Sequence, residues 1–513
     1  MKKCFYLMAA MLVAMVGCNK EPQVGGETTE NGSIYMQFSV NMLTTRTGTD
    51  NSGTNSDASP DYEVGKDREN KISKVDIVLS KDGSYVVAQD VVPAAASTDT
   101  YVASFSTLEL VAGAAYKVYV YANCEAPAQQ NLDEISAATI EQIAGDNNFW
   151  MTNAYEAATT TLPTDLSLHT QPNNPLNLGS HYVERVMARF DYMPKGPYTI
   201  GNAEVTLTQA ALINQSKNFY MFRRVSANGT NENWTVGGVE TPINYVVDTD
   251  YAAKANGWVD GLAGNFDAHM TLPANWTWKS IAAADLKEAD NWEGTNDGTD
   301  DPLAGENGTE ESTPEHDLNE YYIWQYAKEN TIPNVNAQDN GITTGVVFKG
   351  EITGAAVTAA GGETIYVFEN VLYGKWSAVE TAAAAADAPA TLVAAVNKVK
   401  AVATPTATDY ANAGFTGYSP ENGKYYAYYY YWNRHNDNGK NTEMGPMEFA
   451  VVRNNVYKLC VDKIARFGHP TPGGNDPDPD PVDPNDPDES INYYFTVTVK
   501  VLPWVVRVNH IEF

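Results

Sequence analysis

Apolar and polar residues alternate with a period of two along much of this chain, and the two cleanest cases stand near its ends. Near the start, Ile34, Met36, Phe38, Val40 and Met42 alternate with Tyr35, Gln37, Ser39 and Asn41. Near the end, Tyr493, Phe495, Val497, Val499 and Val501 fall on one face of an extended run, and Tyr494, Thr496, Thr498 and Lys500 on the other. Strict alternation predicts a strand with one buried face. Both runs offer apolar side chains at the same spacing and over the same length, so the two could occupy the same groove. Pro503 cannot donate to a ladder and ends or kinks the second run. A shorter alternating run, Trp504 to Val508, follows it.

Between these ends the pattern is strand after strand. Runs at 72–80, 84–92, 101–110 and 116–123 alternate, with the Asp82-Gly83 turn signal joining the first two as a hairpin. The stretch 182–192 (YVERVMARFDY) reads as one further strand, and the first domain closes near Lys195-Gly196-Pro197. Strands resume at 203–208 and through 211–223, then at 345–352, 364–372, 425–432 (YYAYYYYW) and 447–462. Three segments break the rhythm. Residues 132–144 look helical. Residues 289–315 are acidic and rich in Gly, Asn and Thr. Residues 379–402 are Ala-rich, with Leu392, Val393, Val396 and Val399 as a weak apolar helical stripe. Short strands with turn signals in both halves suggest β-sandwiches.

Two polar segments flank the terminal strands. After Met42, a polar loop of small residues contains Arg46, the only basic residue between Lys20 and Lys66. Such a loop is a natural site for proteolytic nicking, and a trypsin-like protease would cut between Arg46 and Thr47. Lys66 and Arg68, farther along, are alternatives. Before the last strand, residues 471–490 repeat Asp-Pro five times and hold almost nothing apolar, so this segment should be solvated and extended. In polyproline II geometry it could reach roughly 60 Å. A sticky strand on a long tether can pair far from its own domain.

Composition narrows the functional classes. The chain of 513 residues has 33 Lys+Arg against 64 Asp+Glu, a formal net charge of −31. Nucleic acid is therefore a poor partner, and an anionic membrane surface would repel the protein. The N-terminus has the plan of a secretory signal: Lys2 and Lys3, an apolar core at 5–16 too short to span a bilayer permanently, then Val16-Gly17-Cys18. These last residues resemble the bacterial lipobox, which implies acylation of Cys18. Of the four cysteines, Cys124 and Cys460 lie in separate apolar segments, as expected of buried free thiols rather than a disulfide.

Candidate chemistry is sparse. The seven histidines are scattered, and no His-Glu-x-x-His helix, Gly-x-Ser-x-Gly elbow or Walker A loop is present. His435 and Asp437 sit in a Gly/Asn-rich stretch that reads as a hairpin loop. The acidic loop at 290–311 and the Asp-Pro tract do not fit a calcium loop, which needs six to eight converging oxygens. The tyrosines at 425–431 could suggest a glycan surface, but alternating aromatics on a strand belong to a core or a subunit contact. No catalytic residue, metal site or cofactor is expected.

Several blocks together resemble a known family. They are Tyr116–Asn123, Val183–Arg189 (VERVMAR), Asn218–Val225 (NFYMFRRV), Glu329–Thr331 with Val347–Ile352, Arg434-His-Asn-Asp, Met444–Leu459 (MGPMEFAVVRNNVYKL) and Val499–Val508 (VKVLPWVVRV). The chain resembles the major shaft subunits of Bacteroidales type V pili, the Mfa1-type fimbrillins. The resemblance runs along nearly the whole chain and is most specific in the C-terminal third. It implies an all-β fold of two transthyretin-like β-sandwich domains with a C-terminal donor-strand extension and helical or loop insertions. It also implies a defined organisation: signal peptide 1–17, propeptide 18–46, an N-terminal domain 47–197, a C-terminal domain 198–470, linker 471–490 and donor segment 491–513.

By the same resemblance, a lipoprotein precursor acylated at Cys18 reaches the outer membrane and is cut after Arg46. The strand Ile34, Met36, Phe38, Val40, Met42 then leaves. A neighbouring subunit donates Tyr493, Phe495, Val497, Val499, Val501 and Trp504 in its place. Five large apolar side chains amount to about 7–15 kcal/mol before ordering costs. One groove and one donor per subunit make the contact head-to-tail and the product an open filament. The implied partners are further copies of the chain, anchor and tip subunits, and a trypsin-like protease. The implied place is a cell-surface fimbria supporting adhesion, aggregation and biofilm formation. The competing expectation is a surface-anchored binding or accessory lipoprotein that does not polymerise.

Overall fold

The computed structural model describes residues 33–42, 65–96, 100–107, 110–127, 135–145, 147–154, 157–225, 235–236, 239–240, 246–251, 254, 265–286, 321–331, 342–435, 447–473 and 495–503. The fold is all-β, with sheets packed as sandwiches around two cores. The first core is built by β1 (Ile34–Met42), β2 (Val75–Lys81), β3 (Ser84–Val91), β4 (Thr100–Thr107), β5 (Ala115–Ala122), β6 (Met151–Asn153) and β7 (Leu176–Arg185). These run in the order β3-β2-β5-β6-β7-β1-β4 within a nine-stranded sheet; two very short strands complete it. The sheet wraps on itself, so Met36 and Phe38 from β1 share one core with Ile77 from β2, Val120 from β5 and Val183 from β7. The β2–β3 hairpin turns on Asp82 and Gly83, both at positive φ (48° and 78°), the geometry a two-residue primed turn requires.

The second core lies between two sheets. One holds β8 (Ala188–Met193), β11 (Tyr322–Ala327), β14 (Asn455–Ile464) and β15 (Phe495–Pro503) in the order β11-β8-β14-β15. The other holds β9 (Tyr198–Ile200), β10 (Ala203–Ile213), β12 (Gly345–Thr353) and β13 (Tyr425–Trp432), with Lys279–Ser280 as a short addition on β10. Aromatic side chains fill the space between: Phe190 stacks on Tyr457 at 5.0 Å, and Tyr192 meets Phe348 at 5.7 Å.

The stretch 182–192, expected as one strand, is two. β7 ends at Arg185, β8 starts at Ala188, and the pair belong to different sheets, with Val186 and Met187 fully buried at the crossing. The charged residues that make this stretch look like a half-exposed strand are buried ions. Arg189 lies 2.7 Å from Asp191 and 3.1 Å from Glu69, with all three side chains sealed from solvent. Glu69 comes from the short helix α1 (Asp67–Asn70) and accepts a hydrogen bond from the Tyr326 hydroxyl. Arg185 donates to the Glu69 carbonyl at 3.2 Å and to the side chains of Asn70 and Asn454. A buried charge is tolerable when it is paired and hydrogen-bonded, as these are. The cluster ties α1 to strands of both cores.

Two other expectations change. Of the helical stretch expected at 132–144, Ile140–Ile143 is helix, capped by Thr139, and Ile135–Ser136 is a short strand. One helical turn is all the sequence supports there, because Ala144 and Gly145 return to strand pairing with Asn148 and Phe149. Residues 364–372 form a hairpin, Ile365–Phe368 and Val371–Tyr373, whose turn residues Glu369 and Asn370 sit at φ 48° and 63°. The Ala-rich insertion does fold as helices, α2 (Trp376–Ala383) and α3 (Ala390–Lys400). Leu392, Val396 and Val399 bury against Val379, Phe368 and Phe415 in a small core of their own.

Candidate assembly site

β1 lies in the interior of its sheet. It runs antiparallel to β4, from Ile34 opposite Thr107 to Asn41 opposite Thr100, and parallel to β7, from Met36 beside Leu176 to Met42 beside Val183. Both backbone edges of the strand are therefore satisfied. Its apolar positions do what their spacing predicts: Ile34, Met36, Phe38 and Val40 are no more than 5% exposed, while Tyr35, Gln37, Ser39 and Asn41 are half-buried on the other face. At about 1.5–3 kcal/mol each, burying four such side chains is worth about 6–12 kcal/mol. The side chain of Met42 lies outside the described residues.

Phe38 occupies the most shaped part of the slot. Its ring meets Phe105 of β4 edge-on at 6.1 Å and His181 of β7 edge-on at 5.3 Å. Beside it β7 carries one extra residue: Gln37 pairs with Asn177, but Ser39 with Ser180. Gly179 takes up this bulge at φ 90°, its N–H bonded to Asn177 Oδ1 at 2.9 Å. His181 is buried, with Nε2 3.3 Å from the Leu178 carbonyl, and burial holds its imidazole below the ordinary histidine value. Periodicity in the sequence located the strand and its apolar face; it carried no signal for the histidine or for the bulge.

β15 is placed differently. It pairs antiparallel with β14, from Phe495 opposite Ile464 to Pro503 opposite Asn455, and among the described residues stands at the end of its sheet. Of the positions named above, Phe495, Val497, Val499 and Val501 fall on this strand, while Tyr493 and Trp504 lie outside the described residues. Cys18, Arg46 and Thr47 also lie outside them. The alternative cleavage residues Lys66 and Arg68 are tied into the buried cluster at α1: the Lys66 N–H donates to Glu69 Oε2, Arg68 to the Tyr326 hydroxyl, and the Arg68 carbonyl accepts from Asn147. A protease would have to unfold this corner to reach them.

The other candidates resolve into packing. His435 is buried, with Nδ1 2.9 Å from the Tyr457 hydroxyl; Asp437 lies outside the described residues. Tyr425 and Tyr429 point into the second core, and Tyr428 and Tyr430 pack beneath Trp276 and Trp278 on the opposite face. Cys124 and Cys460 are buried and not in disulfides; the Cys124 thiol donates to the Met151 carbonyl, and burial pushes Cys460 up to about 11, so it is protonated at neutral pH.

Two segments of the chain match known families. Residues 36–179 match the major fimbrial subunit protein FimA, and residues 422–510 match the C-terminal part of the major fimbrial subunit protein type IV, fimbrillin. The first match begins within β1 and the second includes β14 and β15. Among solved structures the chain is similar to a fimbrilin (FimA) from Porphyromonas gingivalis, at 14% identity over 92% of this chain and 99% of that one, TM-score 0.43. It is similar to the tip fimbrial protein Mfa3 from Porphyromonas gingivalis with a C-terminal truncation, at 10% identity over 92% and 100%, TM-score 0.34. It is also similar to a fimbrial assembly protein from Parabacteroides distasonis, at 11% identity over 42% and 72%, TM-score 0.22. No curated protein matches the chain.

Proposed function

We propose, from the two fimbrial-subunit segments and the placement of β1, that this chain is a structural subunit of a surface fimbria. In this account a lipoprotein precursor acylated at Cys18 is cut between Arg46 and Thr47. β1 is lost, and the segment 491–513 of a neighbouring copy enters its slot. The finer assignment is to the shaft, as in the Mfa1-type subunits. Anchor and tip subunits and a trypsin-like protease are then the partners, and adhesion, aggregation and biofilm formation the outcome. The two domains are then 47–197 and 198–470, with the seam near Lys195-Gly196-Pro197.

One observation carries the proposal. β1 is an interior strand with both backbone edges paired, yet among the described residues it is the first strand in sequence and is followed by the polar segment 43–64. Cutting that segment detaches β1 without interrupting any other described strand. Its departure leaves two rows of unpaired backbone groups and an apolar trough, which strand addition satisfies together. The exchange has a direction. β15 is held along one edge by β14, whereas the slot of β1 offers two edges and a buried face. Transfer of the donor therefore gains a second row of main-chain bonds. The arrangement with β15 on its own β14 is the unassembled precursor in this account.

The test uses a chain lacking 491–513 in which residues 45–48 are replaced by the site of a specific protease. A labelled peptide of residues 491–513 should bind the cut protein and not the uncut one. Equal binding to both, or binding to neither, would overturn the proposal.

A further inference from the structure

Away from the strand slot, the protein buries a lysine in unusual company. The Nζ of Lys254 lies 2.5 Å from Asp248 Oδ2, 2.6 Å from Asn330 Oδ1 and 3.2 Å from the Thr331 carbonyl. The side chains of Lys254 and Asp248 are 0% and 1% exposed, and Asn330 is fully buried. The Phe266 ring closes the site, its centroid 5.5 Å from Nζ. Every group is fixed. Asp248 accepts the N–H groups of Thr331 at 2.7 Å and Asp250 at 3.0 Å. The Asn330 amide nitrogen donates to the carbonyls of Asn214 and Ile342 and to Thr344 Oγ1, and its backbone pairs with Val451 on both sides.

One amine thus touches both a carboxylate able to carry a proton and a primary amide, away from solvent. Amide exchange between lysine and asparagine side chains needs these three groups. Held orientation replaces a slow encounter by an intramolecular step, and exclusion of water suppresses competing hydrolysis.

We propose that Lys254 and Asn330 become joined by an isopeptide bond, with Asp248 as the proton carrier. The Lys254 ammonium passes a proton to Asp248, and the neutral Nζ attacks Cγ of Asn330. The Nζ–Cγ bond forms. Asp248 delivers that proton to Nδ2 and the Cγ–Nδ2 bond breaks; Asp248 then takes the second proton that Nζ loses in becoming an amide nitrogen and passes it to the ammonia, which leaves as ammonium. Nothing is oxidised or reduced, and no further reactant enters. The two residues are 76 apart in sequence, so the bond closes a long loop. A cross-link of this kind restricts the unfolded chain and gains with loop length. It prevents the insertion between the two residues from being drawn out under tension, whether or not the chain forms a filament.

The test is intact mass and peptide mapping of the protein purified from its own cells. The expected result is a mass lighter by one ammonia than the processed sequence requires, with one branched peptide containing both Lys254 and Asn330. Asp248→Asn and Lys254→Arg should each restore the full mass and separate peptides. A native protein of full mass, with Lys254 and Asn330 in separate peptides, would overturn the proposal, and this reading needs no variant to fold. Loss of water with Lys254 linked to Asp248 would overturn the assigned roles.

Discussion

Phe38→Ala separates a strand that merely folds from a strand that folds and then leaves. In the uncut chain Phe38 is 1% exposed, wedged between Phe105 and His181 and opposite the bulge at Gly179. Interior placement between two paired strands allows little collapse around the missing ring. The cost should therefore reach the usual range for a buried phenylalanine, about 3–5 kcal/mol, transfer and cavity together. That is a large share of a typical domain stability of about 5–15 kcal/mol. Ser39→Ala, one position along on the opposite face, should change stability by no more than about 0.5 kcal/mol. The assay is denaturant unfolding of the uncut precursor, followed through the first sandwich, beside thermal dissociation of assembled polymer. Phe38→Ala should destabilise the precursor by the stated amount and leave the polymer unchanged, because the polymer no longer contains Phe38. An equal shift in both would refute the departure of β1, and no shift in either would refute the packing argument itself.

Other perturbations follow from the same geometry. His181 is held below the ordinary histidine value by burial, against a smaller opposing effect of its bond to the Leu178 carbonyl. An unfolded chain, or one whose β1 has left, binds a proton there more readily. The His181 contribution to stability is therefore complete above about pH 6.5 and is lost as pH falls below that toward the lowered folded value. Unfolding midpoints across that window should fall more steeply for the wild type than for His181→Leu; parallel slopes would contradict this. Glu69→Gln strips one partner from the buried Arg189 and should cost about 3–5 kcal/mol in denaturant unfolding. Gly350→Ala would set a Cβ 2.5 Å from Val205 Cγ1 and 3.4 Å from the Tyr429 ring, overpacking the second core. It should lower stability by about 1–3 kcal/mol, and a neutral result would show that β10 and β12 can separate locally.

How much of this was legible depended on which residues are buried. Where apolar residues dominate, the sequence spoke plainly: β1, with one buried apolar face, and β5 and β13, packed on both faces, lie where the sequence put strands. It misled where polar residues are buried. Glu184, Arg185, Arg189 and Asp191 are sealed from solvent, but charged residues scattered among apolar ones read in sequence as a half-exposed strand. The crossing from β7 to β8 was hidden for that reason. The hairpin at 365–373 was missed because its turn residues, Glu369 and Asn370, adopt positive φ without a glycine. Parallel pairing of β1 with β7 leaves no mark on periodicity. Nor does the meeting of Lys254 with Asn330, which depends on tertiary folding alone.

The central claim is that β1 is removed and replaced. The most direct test is N-terminal sequencing and intact mass of the protein sheared from cells, beside its migration in SDS without boiling. The account predicts an N-terminus at Thr47 and a detergent-resistant ladder that disappears when residues 491–513 are deleted. An N-terminus at acylated Cys18, with monomers alone, would contradict it.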